Sequence, residues 1–411
     1  MSACEKPLEL EIAEIAYGGA GLARAADGKV CFVAGALPGE RVLARVTASH
    51  RQYDTARLIE VLAPSRDRIA TACPLALQPA GRTPCPPAAC SGCRYQHATY
   101  AAELEAKQRQ FAAMLAAVPG APPPVAPLAA PAPLGYRNKL VLHSQFENGT
   151  AALGYVMDDN KTVLDVPACP LAVAPINLRL AELRAQPGFL KGLRRDTDLT
   201  LRWTEHDGAN WWRGAAPERA SWLVERSALG PLSVPRGSFY QVNSPVADLL
   251  MTAVRTRIAA ERPARVLDLY CGVGVFALAA ASAGVPQVTG VEVDEAALAA
   301  AEHNAGRLGV QVKWTAGSAR QALRTIADAG VAAETTLIVD PPRGGFETGV
   351  CEELARARPS AILYISCAPD TMARDAARLA AAGYRIESAQ LADMFPRTAH
   401  FESLSVFRRN A

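Results

Sequence analysis

No apolar run in the sequence approaches the ~18 residues of a membrane span, and the opening Met-Ser-Ala-Cys-Glu-Lys has no apolar signal core. Neither sign of charge dominates, with 43 Lys+Arg against 40 Asp+Glu. Charged residues make up only 20% of the chain against 50% apolar, which argues against a mainly disordered polypeptide. Ten cysteines among 411 residues are too sparse and too unevenly placed for a secreted disulfide framework. The expectation is a cytoplasmic protein with reduced thiols, monomeric and without a membrane partner. At ~150 residues per domain the length suggests two or three domains, each able to bury its own core. No internal repeat is found.

The net charge of +3 is a sum that hides structure. Two composition breaks divide the chain into residues 1–63, 64–240 and 241–411, with net charges of −1, +5 and −1. The basic excess of the middle stretch, much of it arginine, suits either a solvated surface or a face toward a polyanion. Cysteines are equally uneven: Cys73, Cys85, Cys90 and Cys93 fall close together, whereas Cys4, Cys31, Cys169, Cys271, Cys351 and Cys367 are scattered.

Residues 8–62 read as about five short strands separated by glycine turns, the pattern of a small closed barrel of the OB type. Tyr100–Ala117 has helical spacing with Glu103 and Lys107 as an i,i+4 pair, and Pro119–Pro133 reads as a proline-rich linker or extended loop. Asp198–Trp203 and Asn210–Trp212 predict a hairpin turning at Asp207-Gly208. From Pro245 onward apolar strand cores (266–269, 288–293, 336–339, 362–365) alternate with Ala-rich helical stretches. That alternation predicts an α/β domain with a doubly wound, mainly parallel sheet.

Asp268-Leu-Tyr-Cys-Gly272-Val-Gly274 follows the first of these strands and leads into a helix, and Glu292 closes the next strand. A carboxylate there can accept both ribose hydroxyls, a geometry that serves NAD and S-adenosylmethionine alike. Asp268 before the glycines and Asp340-Pro341-Pro342-Arg343 after a later strand favour S-adenosylmethionine. Ser366-Cys367-Ala368-Pro369 leaves the strand ending at Ile365, where open α/β sheets place their ligands. Cys367 is there either as an apolar filler or as a nucleophile. Glu402 lies between Phe401 and Leu404, a setting in which a carboxyl can gain the raised pKa of a base working near neutrality.

The segments FYQVN (239–243), DLYCGVG (268–274), VEVDEAALAAAEHNA (291–305), VDPPRGG (339–345), YISCAPDTMARD (364–375) and DMFPRTAHFESL (393–404) together resemble the RNA uracil-C5 methyltransferases. The resemblance covers nearly the whole chain, with residues 1–63 similar to that family's TRAM barrel. It implies an α/β fold with a C-terminal Rossmann-like methyltransferase domain over 241–411 and a central α+β iron–sulfur and RNA-binding domain over 64–240. It implies RNA as partner, 23S rRNA favoured and tRNA the alternative. A non-catalytic RNA-binding iron–sulfur protein is the rival of another class. By the same resemblance, Cys367 adds to C6 of uracil and Glu402 removes the C5 proton. Asp340 and Gln241 line the pocket between cofactor and uracil; Tyr270, Gly272, Gly274 and Glu292 hold the cofactor, with Ser318 added after the following strand. The sequence departs from the family at Val275 and Ala368, where Asn is usual, and at Arg397, where His is common.

Cys85-x4-Cys90-x2-Cys93 with Cys169 downstream contains only one C-x2-C unit, which suits zinc poorly and an uneven [4Fe–4S] set better. The resembled family carries such a cluster. Cys85 is the expected first ligand, and Cys73-Pro74, just after the barrel, is the alternative. Its expected role is folding and RNA positioning, because methyl transfer needs no electrons.

Overall fold

The computed structural model describes residues 7–81, 89–147, 150–193, 197–217 and 222–410. Strands β1 (Leu8–Glu11), β2 (Glu14–Ile15), β3 (Ala20–Arg24), β4 (Val30–Ala34), β5 (Arg41–Ser49) and β6 (Tyr53–Ala63) form one sheet in the order β1-β5-β6-β4-β3-β2. Three register shifts between β5 and β6 let this small sheet curl around a core of Leu10, Val33, Val42 and Leu58. The glycine run at 18–21, which interrupts the strand pattern in sequence, is the turn and start of the β2–β3 hairpin; Gly18 and Gly19 both have positive φ.

Helix α1 (Tyr100–Ala116) starts at an N-cap formed by Thr99. The following proline-rich segment is not merely a linker. It contains β7 (Val125–Leu128), which pairs in parallel with the edge of the C-terminal sheet. An edge strand tolerates Pro127 because only one side of its backbone must be hydrogen-bonded. Phe111 and Leu115 of α1 pack into the core of the same C-terminal unit, so residues 100–128 join the barrel side of the molecule to the C-terminal sheet.

The middle of the chain forms β8 (Lys139–Glu147), β9 (Thr150–Val156), β10 (Val163–Asp165), α2 (Ala174–Ala185), β11 (Asp198–Thr204) and β12 (Gly208–Arg213). Its strands lie in the order β10-β9-β8-β11-β12, all antiparallel, with Ile176, Leu180 and Leu183 of α2 buried on the sheet. The β11–β12 hairpin turns at the expected Asp207-Gly208. A short ribbon, β13 (Leu223–Glu225) with β14 (Leu232–Val234), leads to the last unit.

That unit runs α3 (Ser244–Glu261), β15 (Arg265–Leu269), α4 (Val275–Ser282), β16 (Gln287–Glu292), α5 (Glu295–Leu308), β17 (Lys313–Ala316), α6 (Ala319–Asp328), β18 (Thr335–Val339), α7 (Val350–Ala357), β19 (Ala361–Ser366), α8 (Pro369–Ala381), β20 (Tyr384–Ala392) and β21 (Glu402–Arg409). Its eight-stranded sheet has the order β17-β16-β15-β18-β19-β21-β20-β7. β17 through β19 are mutually parallel, and β21 inserts antiparallel between β19 and β20. Every residue of β18 and β19 is buried, as continuous apolar strands covered on both faces must be. Among the described residues no helix is long and apolar enough to cross a membrane.

Candidate active site

β21 runs against β19, so its first residue lies where β19 ends. Ser366 pairs with Ser403, which puts Cys367, one residue beyond the strand, and Glu402, one residue before its partner, at the same sheet edge. Asp340 follows β18, the other neighbour of β19, and completes the group. Glu402 is deeply buried from water, whereas Asp340 and Cys367 are half-buried. One carboxylate oxygen of Glu402, Oε2, has no hydrogen-bond partner, so it is free to meet a proton donor.

The charges here act on each other. Burial pushes the Glu402 carboxyl well above the usual range and the negative charge of Asp340 adds to the effect, with Arg343 opposing it. Burial lifts Asp340 to about 7. The Cys367 thiol is pushed up to about 11, by burial first and then by Glu402 and Asp340, again opposed by Arg343. The site thus holds a protonated thiol beside Asp340, which titrates near neutrality, and Glu402, raised well above the ordinary carboxyl range, the arrangement of an acid–base centre. Arg343 is the cation that favours a thiolate. Sequence reasoning assigned Arg343 no role, although it stands within the Asp-Pro-Pro-Arg motif.

The glycine loop leaves β15 with Tyr270 at φ 62° and Gly272 at φ 52°. The Gly272 amide donates to Glu292 Oε2 at 3.0 Å, while Glu292 Oε1 accepts from the amides of Val293 at 2.7 Å and Asp294 at 3.0 Å. A Cβ on Gly272 would meet nothing within 4 Å, leaving open space above the loop, whereas one on Gly274 would stand 2.6 Å from Trp314. Gly272 therefore faces the crevice and Gly274 permits packing. Asp268 Oδ2 accepts from the Ala277 amide at 2.8 Å, at the start of α4, and its Oδ1 is buried without a partner. Carboxylates held by amides, an orphaned polar atom and open space over a glycine fit S-adenosylmethionine. Ser318 caps α6, accepting from the Gln321 amide at 3.3 Å, beside the end of β16. Gln241 lies on the loop before α3, its carbonyl accepting from Asn138 Nδ2 at 3.2 Å.

Of the departures from the family pattern, Ala368 leaves α8 without a side-chain cap. The Ser366 hydroxyl closes that turn instead, accepting from the Ala368 amide and donating to its carbonyl, both at 3.1 Å. Val275 opens α4 behind Gly274.

Cys73, Cys90, Cys93 and Cys169 line one cavity of about 490 Å³, which Arg343, Thr398 and His400 also line from the catalytic side. Cys85 lies outside the described residues. Burial raises the thiols of Cys73 and Cys90 and pushes Cys93 up to about 12. Asn177 fixes Cys169 through its amide at 2.9 Å and its carbonyl at 3.0 Å, and the Cys90 amide donates to the Leu75 carbonyl at 2.7 Å. Among the described residues no three His, Cys, Asp or Glu side chains are close enough to hold a single metal ion.

The segment from Asp393 to Glu402 is anchored by a buried ionic cluster. Lys107 Nζ lies 2.8 Å from both Glu103 Oε1 and Asp393 Oδ1, and it also donates to the Phe395 carbonyl at 3.2 Å. The Arg397 amide donates to Glu103 at 2.6 Å and its guanidinium donates to the Ala98 carbonyl at 2.6 Å. The Arg397 carbonyl accepts from the amides of Arg94 and Tyr95. The Glu103–Lys107 pair, readable as a surface i,i+4 bridge, is fully buried, because its partners come from nearly 290 residues away. Removing one member of a buried pair leaves the others uncompensated. Lys107→Met should therefore cost about 3–5 kcal/mol and lower Tm by several degrees in a thermal melt, with Lys107→Arg much milder.

The C-terminal sheet, its glycine loop and the carboxylate at the end of β16 define the fold of an S-adenosylmethionine-dependent methyltransferase. Residues 232–410 match the family model for tRNA (uracil-5-)-methyltransferases, and residues 6–59 match the TRAM domain. The chain belongs to the RNA uracil-C5 methyltransferase family. It is 34% identical to the 23S rRNA (uracil(1939)-C(5))-methyltransferase RlmD of Chromohalobacter salexigens, covering 98% of this chain and 89% of the relative. The protein of the same name from Halomonas elongata is 33% identical, over 96% of this chain and 88% of that one. In fold it is similar to the tRNA (uracil-54, C5)-methyltransferase of Pyrococcus abyssi, solved with S-adenosyl-L-homocysteine. That match has a TM-score of 0.72 and 22% identity, covering 97% of this chain and 100% of that one.

Proposed function

We propose that this protein methylates C5 of a specific uridine in RNA, 23S rRNA before tRNA, in the cytoplasm. The observation that carries the proposal is the meeting of Cys367 and Glu402 at one sheet edge beside the cofactor crevice. C5 of uracil is too weak a nucleophile to take a methyl group directly. Addition of the Cys367 sulfur to C6 moves electron density to C5, which can then attack. Glu402 takes the C5 proton, and the electrons left behind expel the sulfur and restore the ring. S-adenosylmethionine, when bound, supplies an electrophilic methyl group on a cationic sulfur. Glu292, Tyr270, Gly272 and Gly274 would hold its nucleoside and backbone, with Ser318 at the rim and Gln241 and Asp340 toward the base. A base attacked on its face must leave its stack, so the target uridine is everted or sits in a remodelled loop.

We further propose a [4Fe–4S] cluster held by Cys90, Cys93, Cys169 and one more thiol, Cys85 or Cys73; Cys73, Cys90, Cys93 and Cys169 share one cavity wall. Sulfurs around a four-iron cube stand farther apart than those around one tetrahedral ion, consistent with cysteines that share a cavity without forming a single-ion site. Local spacing favours Cys85 as the first ligand, and Cys73, which lines the same cavity as the other three thiols, is the alternative. Anaerobic iron and sulfide analysis should show Cys85→Ser losing the cluster and Cys73→Ser retaining it; the reverse result would move the ligand to Cys73.

The substrate assignment is tested by incubating the protein and labelled S-adenosylmethionine with unmodified 23S rRNA and tRNA transcripts. Label at one uridine of 23S rRNA is expected. Label confined to tRNA would transfer the assignment, and label in neither would end the enzymatic reading.

A further inference from the structure

The N-terminal barrel reaches the catalytic mouth through the β2–β3 turn. Its tip, Ala16-Tyr17-Gly18-Gly19, is anchored on three sides. Gln110 of α1 donates to the carbonyls of Ile15 and Ala16, both at 3.1 Å, and the Gly19 amide closes the turn on the Ala16 carbonyl at 3.0 Å. Gly19 sits so tightly on Arg94, next to Cys93, that a Cβ there would fall 2.5 Å from the Arg94 Cβ. Gly18 lines the cavity shared by the four cysteines, Arg343 and His400.

The turn carries Tyr17 to an unusual place for a barrel residue. Its ring stands edge-on to Phe401, the neighbour of Glu402, with centroids 6.4 Å apart. It feels the charges of Asp370, Arg343 and Cys367. Yet it remains 41% exposed, whereas Phe401 beneath it is fully buried against Phe111. A large, partly exposed aromatic side chain packed on the residue next to Glu402 is a platform for a base.

We propose that Tyr17 is a wall of the target-nucleotide pocket, its ring stacking on the RNA base that enters beside Cys367. This rests on the RNA substrate proposed above. The barrel is then part of the substrate pocket, in addition to any contact it makes with RNA elsewhere. The ring does the work; the hydroxyl, raised above its ordinary pKa mainly by burial, stays neutral.

The test is steady-state methylation with RNA varied at saturating cofactor, alongside calorimetric S-adenosylmethionine binding and thermal melts. Tyr17→Ala should raise KM for RNA about tenfold or more, the size of one lost base–aromatic stack. Cofactor affinity and Tm should be unchanged, and Tyr17→Phe should stay within about twofold of wild type. Gly19→Val, which keeps the tyrosine but lifts the turn off Arg94, should raise KM in the same way. An unchanged KM in Tyr17→Ala, or equal damage in Tyr17→Phe, would overturn the stacking assignment while the methylation reading stands. A Tyr17→Ala defect shared by cofactor binding and Tm would make the residue structural and overturn it too. Wild-type protein inactive on both RNAs would remove the reading beneath it.

Discussion

Cys367→Ala should reduce methylation by at least about 10⁴-fold, because none of the other described side chains gathered at this sheet edge can activate C5. Of the groups gathered at this sheet edge, Asp340 and Glu402 are carboxyls that form poor adducts with a pyrimidine, and Arg343 is a cation. The variant should fold normally, since Cys367 is half-buried on a turn closed by Ser366. Cofactor binding should survive, giving a dead enzyme with an intact crevice, and gel analysis with 5-fluorouridine-containing RNA should show no covalent complex. The same thiol sets the pH dependence. Its pKa of about 11 lies above the ordinary 9.0, so the reactive thiolate becomes more abundant as pH rises. The rate at subsaturating RNA should climb from about pH 6 to 9. A profile flat across that range would mean the nucleophile ionises elsewhere.

Glu402→Gln should lower kcat by about 10²–10⁴-fold, but by a different route that leaves a visible product. The carboxylate acts after the sulfur has added and the methyl has moved. Its loss also removes the largest charge opposing Cys367 ionisation. Adduct formation should therefore continue while release stops. A protein–RNA complex that carries the methyl label and resists denaturation should accumulate in Glu402→Gln and be absent from Cys367→Ala. Loss of activity with no complex would assign the base elsewhere.

Much of this site was legible in the sequence because its reacting groups sit in short motifs at strand exits. Cys367 follows an apolar strand, Glu402 opens another, and the glycine loop follows the first strand of the sheet. The pairing that brings Cys367 and Glu402 together was not legible, because an antiparallel insertion between β19 and β20 leaves no trace in local periodicity. The same holds for β7 in the proline-rich segment, whose partner lies some 260 residues away, and for Lys107, whose partner Asp393 makes a surface-looking pair a buried one. Local spacing also gave no sign that chain folding brings Cys73 to the cavity wall shared with Cys169. Tyr17 carries no motif that sets it apart from a barrel turn; its meaning comes from the docking of that turn on Arg94 and Phe401.

The most direct test of the central claim uses RNA carrying tritium at C5 of uridine, with the cofactor methyl labelled by carbon-14. Methyl transfer to C5 must displace the hydrogen already there. One tritium should reach water for each methyl group incorporated by the wild-type protein, and Glu402→Gln should incorporate methyl groups while retaining the tritium. Methyl incorporation by the wild-type protein without tritium release would place the reaction on another atom and contradict the account.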